Sequence, residues 1–151
     1  MRSLRSGIAI AVALVLVSVG AALTARGSAA PATTVATGSS GLGRILVDGR
    51  GRTLYLFEKD RRGTSGCAGL CATYWPPVLT GGKTIASKGA KRALLGKIRR
   101  GDGTQQVTYA GHPLYVFFGD ARRGQTNGEG LTDFGAGWYA VSPAGKKIDR
   151  D

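Results

Sequence analysis

Two cysteines, one histidine and a repeated aspartate are the residues of this chain whose types and spacing could do chemistry. Cys67 and Cys71 stand in C-x-x-x-C spacing and are the only cysteines. Two thiolates suit a soft ion such as copper(I), and with the single histidine, His112, they make a possible redox or copper-handling set. Ligands are otherwise scarce, because the only methionine is Met1 and the C-x-x-C-H haem signature is absent. An even cysteine count in an exported chain reads more simply as a disulfide, Cys67–Cys71, stabilising by about 2 kcal/mol for so small a ring. Asp60 and Asp120 form the second set. They fit a hydrolytic acid–base pair or metal ligation, but each heads a turn into its own arginines, Arg61-Arg62-Gly63 and Arg122-Arg123-Gly124. An aspartate there accepts backbone N–H groups two residues on, so a turn-setting role is preferred. Asp120, Asn127, Glu129 and Asp133 supply oxygen ligands for calcium, but in no recognised loop spacing. No resident metal or other cofactor is expected, and an enzymatic role is the weaker expectation.

The elements that position these residues are repeated. Leu54-Tyr55-Leu56-Phe57-Glu58-Lys59-Asp60 returns as Leu114-Tyr115-Val116-Phe117-Phe118-Gly119-Asp120. At an offset of sixty, positions 47–60 match at six of fourteen sites, which marks an internal duplication. Each copy reads as a strand with its aromatics, Tyr55 and Phe57 or Tyr115 and Phe117, on one face and in the core. Leu42-Gly43-Arg44-Ile45 and Leu95-Gly96-Lys97-Ile98 share L-G-x-I and are taken as the module starts. Modules of 42–79 and 95–142 follow, the second seven residues longer before its motif and able to hold an extra hairpin. Trp75-Pro76-Pro77 ends the first module and Trp138 the second. Two prolines block a central strand there. Many glycines and frequent turn signals predict an all-β domain over 41–151. Its two antiparallel modules form one small sandwich or barrel-like core, expected to be monomeric.

The first residues read as an export signal. Arg2 and Arg5 precede an uncharged apolar run, 8–23, and small residues Gly27-Ser28-Ala29-Ala30 follow. That run spans about 24 Å as a helix, short of the roughly 30 Å hydrocarbon core, so cleavage after 29 is preferred to an uncleaved anchor. Residues 30–40 are small and uncharged and read as a flexible linker. The formal net charge is +12. Without Arg2, Arg5 and Arg26 it is still +9. Anionic envelope polymer or lipid headgroups suit that charge. Nucleic acid does not fit an exported chain without a nucleic-acid-binding motif. Lys83, Lys88, Lys91, Arg92, Lys97, Arg99 and Arg100 read as a solvated basic face, and Gly101-Asp102-Gly103 makes Arg100-Gly101-Asp102 a turn rather than a receptor ligand.

Taken together, these motifs resemble the bacterial secreted-repeat lipoproteins of unknown function, marked by a repeated Y-x-[FWY]-x-x-D motif. The resemblance covers about 41–145. It is carried by Leu46-Val47-Asp48 through Asp60, by Cys67, Cys71 and Trp75-Pro76-Pro77, by Gly111-His112-Pro113-Leu114-Tyr115, and by Gly137-Trp138-Tyr139. It implies an exported, envelope-associated protein of tandem modules and no particular activity. No cysteine lies near the end of the apolar run, so free secretion or an uncleaved anchor is expected in place of a lipid anchor. A non-enzymatic binding or structural role leads; the redox or copper role is the alternative.

Overall fold

The computed structural model describes residues 30–149. The export signal expected over 1–29 lies outside the described residues.

The first hairpin joins β1 (Thr33–Ser40) to β2 (Gly43–Asp48), with Val35 opposite Asp48 and Ser40 opposite Gly43. This overturns the linker expected over 30–40. Val35 and Ala36 are buried on opposite faces, one in each of two apolar clusters. A strand covered on both sides has no place for charge, and here that lack of charge had the look of a linker. β3 (Tyr55–Phe57) follows, then α1 (Leu70–Tyr74) and β4 (Thr84–Ala86), which runs parallel to β1. The second half repeats the plan. A 3₁₀ turn at Arg92–Leu94 leads into β5 (Leu95–Arg99), β6 (Gln105–Tyr109) and the short β7 (His112–Pro113). β8 (Thr132–Asp133) and β9 (Ala136–Ala140) close the chain. The fold is all-β apart from α1 and the 3₁₀ turn, and it is built from two related modules. Its strands form three small sheets, ordered β2-β1-β4, β3-β9-β8 and β5-β6-β7, which do not close into a barrel.

The L-G-x-I alignment is also corrected. β5 pairs with β6 as β1 pairs with β2, so Leu95-Gly96-Lys97-Ile98 corresponds to a segment of β1 and not to Leu42-Gly43-Arg44-Ile45. The first module therefore begins at β1, and the second needs no extra hairpin. A chance four-residue likeness had outweighed the hydrogen-bond pattern, which one sequence does not display.

The two motif strands lie side by side. Tyr55 and Tyr115 exchange both backbone hydrogen bonds, at 2.9 and 3.0 Å, so the two copies are related by an approximate two-fold axis between these residues. The relation extends outward. Val141 N–H donates to Leu54 O (3.1 Å) as Val78 N–H donates to Leu114 O (2.9 Å). β9, from the second module, is thus the partner of the first motif strand, and Trp75-Pro76-Pro77-Val78, from the first, flanks the second. The second motif makes only isolated bridges at Tyr115, to Tyr55 and to Pro77, because Pro76 and Pro77 have no N–H to give a ladder.

Both faces of this central layer are buried. Tyr55, Phe57, Trp75, Tyr115 and Trp138 fill one cluster; Leu54, Leu56, Val107, Leu114 and Val116 fill the other. Within the two motif strands, period-two alternation sends Tyr55, Phe57 and Tyr115 to the aromatic side and Leu54, Leu56, Leu114 and Val116 to the aliphatic side. Four rings stack in the order Phe57, Trp138, Trp75, Phe117, with centroids 4.0, 3.9 and 4.4 Å apart. Every step of that stack joins one module to the other.

Candidate functional site

The chemistry-bearing residues of the repeat meet at the junction between the modules, and they meet crosswise. Tyr55 donates its hydroxyl to Asp120 Oδ2 at 2.6 Å. Tyr115 donates to Asp60 Oδ2 at 2.8 Å. Each tyrosine therefore serves the aspartate of the other copy. The second carboxylate oxygen holds a loop: Asp60 Oδ1 accepts Gly66 N–H (2.6 Å), and Asp120 Oδ1 accepts Asn127 N–H (2.9 Å). The turn expected two residues beyond each aspartate is corrected to a loop anchor six or seven residues on. The reason is reach, since a carboxylate turned inward to a buried phenol cannot also fold back on its own turn.

The surroundings are complete. Tyr55 Oη also accepts Gly128 N–H (3.3 Å), and Tyr115 Oη lies 2.7 Å from Ser65 Oγ. Gly128 has to be glycine, because a Cβ there would lie 2.7 Å from the Trp75 ring. Burial, followed by the adjoining carboxylates, pushes both phenols far above their ordinary value of 10.0, so they remain protonated donors. Burial also raises both carboxyls above 3.8, against the donors that favour the charged form.

Two predictions follow from this geometry. Tyr55→Phe and Tyr115→Phe remove a donor from buried Asp120 and half-buried Asp60 respectively and are each expected to cost about 2 kcal/mol. Double-mutant cycles by urea unfolding should give more than about 1 kcal/mol of coupling for Tyr55 with Asp120 and Tyr115 with Asp60. Within one copy, Tyr55 with Asp60, the coupling should stay below about 0.5 kcal/mol. The reverse ranking would refute crosswise pairing.

The second concerns pH. A carboxyl whose folded value is raised contributes stability that is full below its unfolded value, near 3.8, and is lost as pH rises through the folded value. The advantage of the wild type over Asp60→Asn and Asp120→Asn should therefore shrink as pH rises above that point. His112 has the opposite sense: burial and Arg62 lower its value, so its contribution is full above 6.5 and is lost as pH falls through the folded value. A pH-independent difference between wild type and both Asn variants would contradict the burial argument.

Cys67 and Cys71 are joined in a disulfide that ties α1 to the loop before it, with Cys71 inside the helix one turn before Trp75. His112 lies elsewhere, in an open cleft of about 420 Å³ that Asp60, Glu58 and Lys147 also line. The structure does not bring His112 to the cysteines. Among the described residues no group of three or more His, Cys, Asp or Glu is arranged to hold a metal. Of the four residues weighed for calcium, Asp120 holds Tyr55 and Asn127 N–H, Asn127 Nδ2 donates to Gly119 O, Glu129 accepts Ala140 N–H, and Asp133 accepts the Trp138 indole N–H through its backbone carbonyl.

Arg100 is the residue whose role is not legible locally. The solvated basic face expected to include Arg100 is corrected at this residue, which is buried. Its guanidinium donates to Gln106 Oε1 (2.6 Å), Cys67 O (2.6 Å) and Ser65 Oγ (2.9 Å), tying the disulfide loop of one module to the other. Buried Arg100 is not displayed as part of a receptor tripeptide. Two further arginines also cross between modules. Arg62 lies over Gly111 and Arg123 over Gly51, both glycines at positive φ (+85° and +84°).

None of the curated proteins and none of the solved structures compared matches the chain. The family model described as "secreted repeat of unknown function" matches twice, over residues 36–79 and 96–142, which is more than half of the chain. Both matches begin inside the strands equated above, β1 and β5. The duplicated β modules and this double match together show that the chain belongs to the secreted-repeat family of unknown function and acts outside the cytoplasm.

Proposed function

We propose that this secreted protein is a non-enzymatic binding module for anionic envelope polymer or lipid headgroups. The observation that carries the reading is the distribution of charge. Among the described residues, ion pairs engage Arg52, Arg100 and Lys147, while most other lysines and arginines are exposed. The formal charge of the whole chain is +12. An uncompensated cationic surface attracts phosphate and carboxylate groups over a Debye length of about 10 Å at moderate salt. The repeated motif supports the reading from the other side. Tyr55, Tyr115, Asp60 and Asp120 are consumed in intramolecular bonds that hold the modules together.

Retention of the exported protein on immobilised polyphosphate and on anionic vesicles is expected at low salt, with release as ionic strength approaches about 0.5 M, where screening is short-ranged. Absence of retention at low salt would remove the reading. The redox or copper role is separated by thiol titration of the native protein. Two free, metal-responsive thiols at Cys67 and Cys71 would replace a structural disulfide with that role.

A further inference from the structure

One surface feature is not required by the fold, and the internal symmetry shows why. Phe118 N–H donates to Tyr74 O at 3.0 Å, and at the two-fold-related place Glu58 N–H donates to Gly137 O at 3.0 Å. The backbone is the same and the side chains are opposite in kind. Glu58 pairs with Lys147 at 2.9 Å, and Gly137 has no side chain. Phe118 and Tyr74 carry aromatic rings in edge contact, 4.9 Å between centroids, and both are exposed, Phe118 at 62 %. A polar version of this corner is therefore compatible with the fold, and the aromatic version has been placed on one side only.

Two more residues extend the patch. Leu70, 66 % exposed, lies one helical turn before Tyr74 on the same face of α1. Phe134 is exposed and 6.2 Å from the Tyr74 ring. It occupies the tip of the β8–β9 hairpin with φ +56°, followed by Gly135 at +88°. Such two-residue turns favour asparagine or aspartate before glycine, and a bulky aromatic there is strained. The turn itself does not call for an aromatic ring, so this phenylalanine is a second departure from what the fold requires at the same corner. At the rim, the Lys59 ammonium donates to Phe134 O at 3.5 Å.

We infer that Leu70, Tyr74, Phe118 and Phe134 form an insertion patch that seats the protein on an anionic lipid bilayer. The inference rests on the anion-binding reading and names the surface and partner that reading leaves open. Aromatic rings favour the headgroup level of a bilayer, where an apolar body and a polar edge are both satisfied. Surface binding of this kind combines a modest buried apolar area with attraction of cations to anionic lipid. The chain supplies both parts, with the Tyr74 ring touching Phe118 and Phe134, Leu70 exposed on the same helix face, Lys59 at the rim and a large positive charge overall. An anionic polymer in solution would use the charge and gain nothing from the rings.

The test compares the exported protein with Phe118→Ser plus Phe134→Gly. Both positions are exposed, and glycine relieves the hairpin tip, so the melting temperature should not fall. Partition onto vesicles of phosphatidylglycerol and phosphatidylcholine should weaken at least about ten-fold, the scale for losing two partly buried aromatic contacts. Binding to soluble polyphosphate should be unchanged. Equal vesicle partition of variant and wild type would overturn the inference. Wild-type binding to polyphosphate but not to vesicles would overturn it while leaving the anion reading intact. Binding to neither would remove both. A wild-type dimer that becomes monomeric in the variant, with vesicle partition unchanged, would assign the patch to contact between copies and overturn bilayer seating.

Discussion

Expressed as separate polypeptides, residues 30–89 and 90–149 are each expected to remain unfolded, and to fold when mixed. The cut falls between β4 and β5, so no strand is severed. What is severed is every inter-module partnership. The first half keeps the β1–β2 hairpin and loses β9, the partner of β3. It also loses the Asp120 acceptor of Tyr55 and the Trp138 ring that lies between Phe57 and Trp75. The second half keeps the β5–β6 hairpin and loses Pro76 O and Tyr74 O, which accept Val116 N–H and Phe118 N–H. Neither half could close a core of its own, and fragments of about sixty residues are marginal even with one. Circular dichroism and amide hydrogen exchange of each half, then of the equimolar mixture, give the answer. A cooperative thermal transition in either half alone would show that the modules are independent units.

Trp138→Ala is expected to be the most damaging single substitution. The ring is fully buried, stacks at 3.9 Å on Trp75 and at 4.0 Å on Phe57, and meets Tyr115 edge-on at 5.1 Å. Removing it opens the middle of the four-ring stack, where the flanking rings belong to β3 and to the C-terminal end of α1 and cannot close in together. Large-to-small changes of this kind cost about 3–5 kcal/mol. A domain of this size has a stability of about 5–15 kcal/mol, so the melting temperature should fall by on the order of 20 °C. Exposed Leu79→Ala is the control and should change stability by less than about 0.5 kcal/mol. A Trp138→Ala variant as stable as that control would show that the stack is not what joins the modules.

Crosswise completion also explains how a duplicated sequence became a single unit. In a tandem array each copy satisfies its own polar groups and stacks on its neighbour. Here Tyr55, Asp60 and Phe57 have their partners at Asp120, Tyr115 and Trp138. The motif is therefore a device for joining two copies. Arg62 over Gly111 and Arg123 over Gly51 repeat the exchange at the periphery. The disulfide is joined to the same junction, because Arg100 holds Cys67 O while sharing Ser65 with Tyr115.

By itself the sequence determined the all-β class, the duplication, the family and the place outside the cytoplasm, since each is written in local periodicity, turn residues and repeated motifs. It also determined that Tyr55, Phe57, Tyr115 and Phe117 face one side, because alternation along a strand is a local rule. The tertiary structure alone decided which copy completes which. A tyrosine that donates to the aspartate five residues on and one that donates to the aspartate of the other copy have identical sequence surroundings. Choosing between them depends on strand pairing across more than fifty residues. The same physics accounts for the other corrections. β1 is a strand because sheets cover both of its faces, Arg100 is buried because Gln106, Ser65 and Cys67 O surround it, and Leu95-Gly96-Lys97-Ile98 belongs with β1 because of its register against β6. The chemistry-bearing residues were visible from the start. Their partners, and so their structural role, were set by contacts that only the folded chain makes.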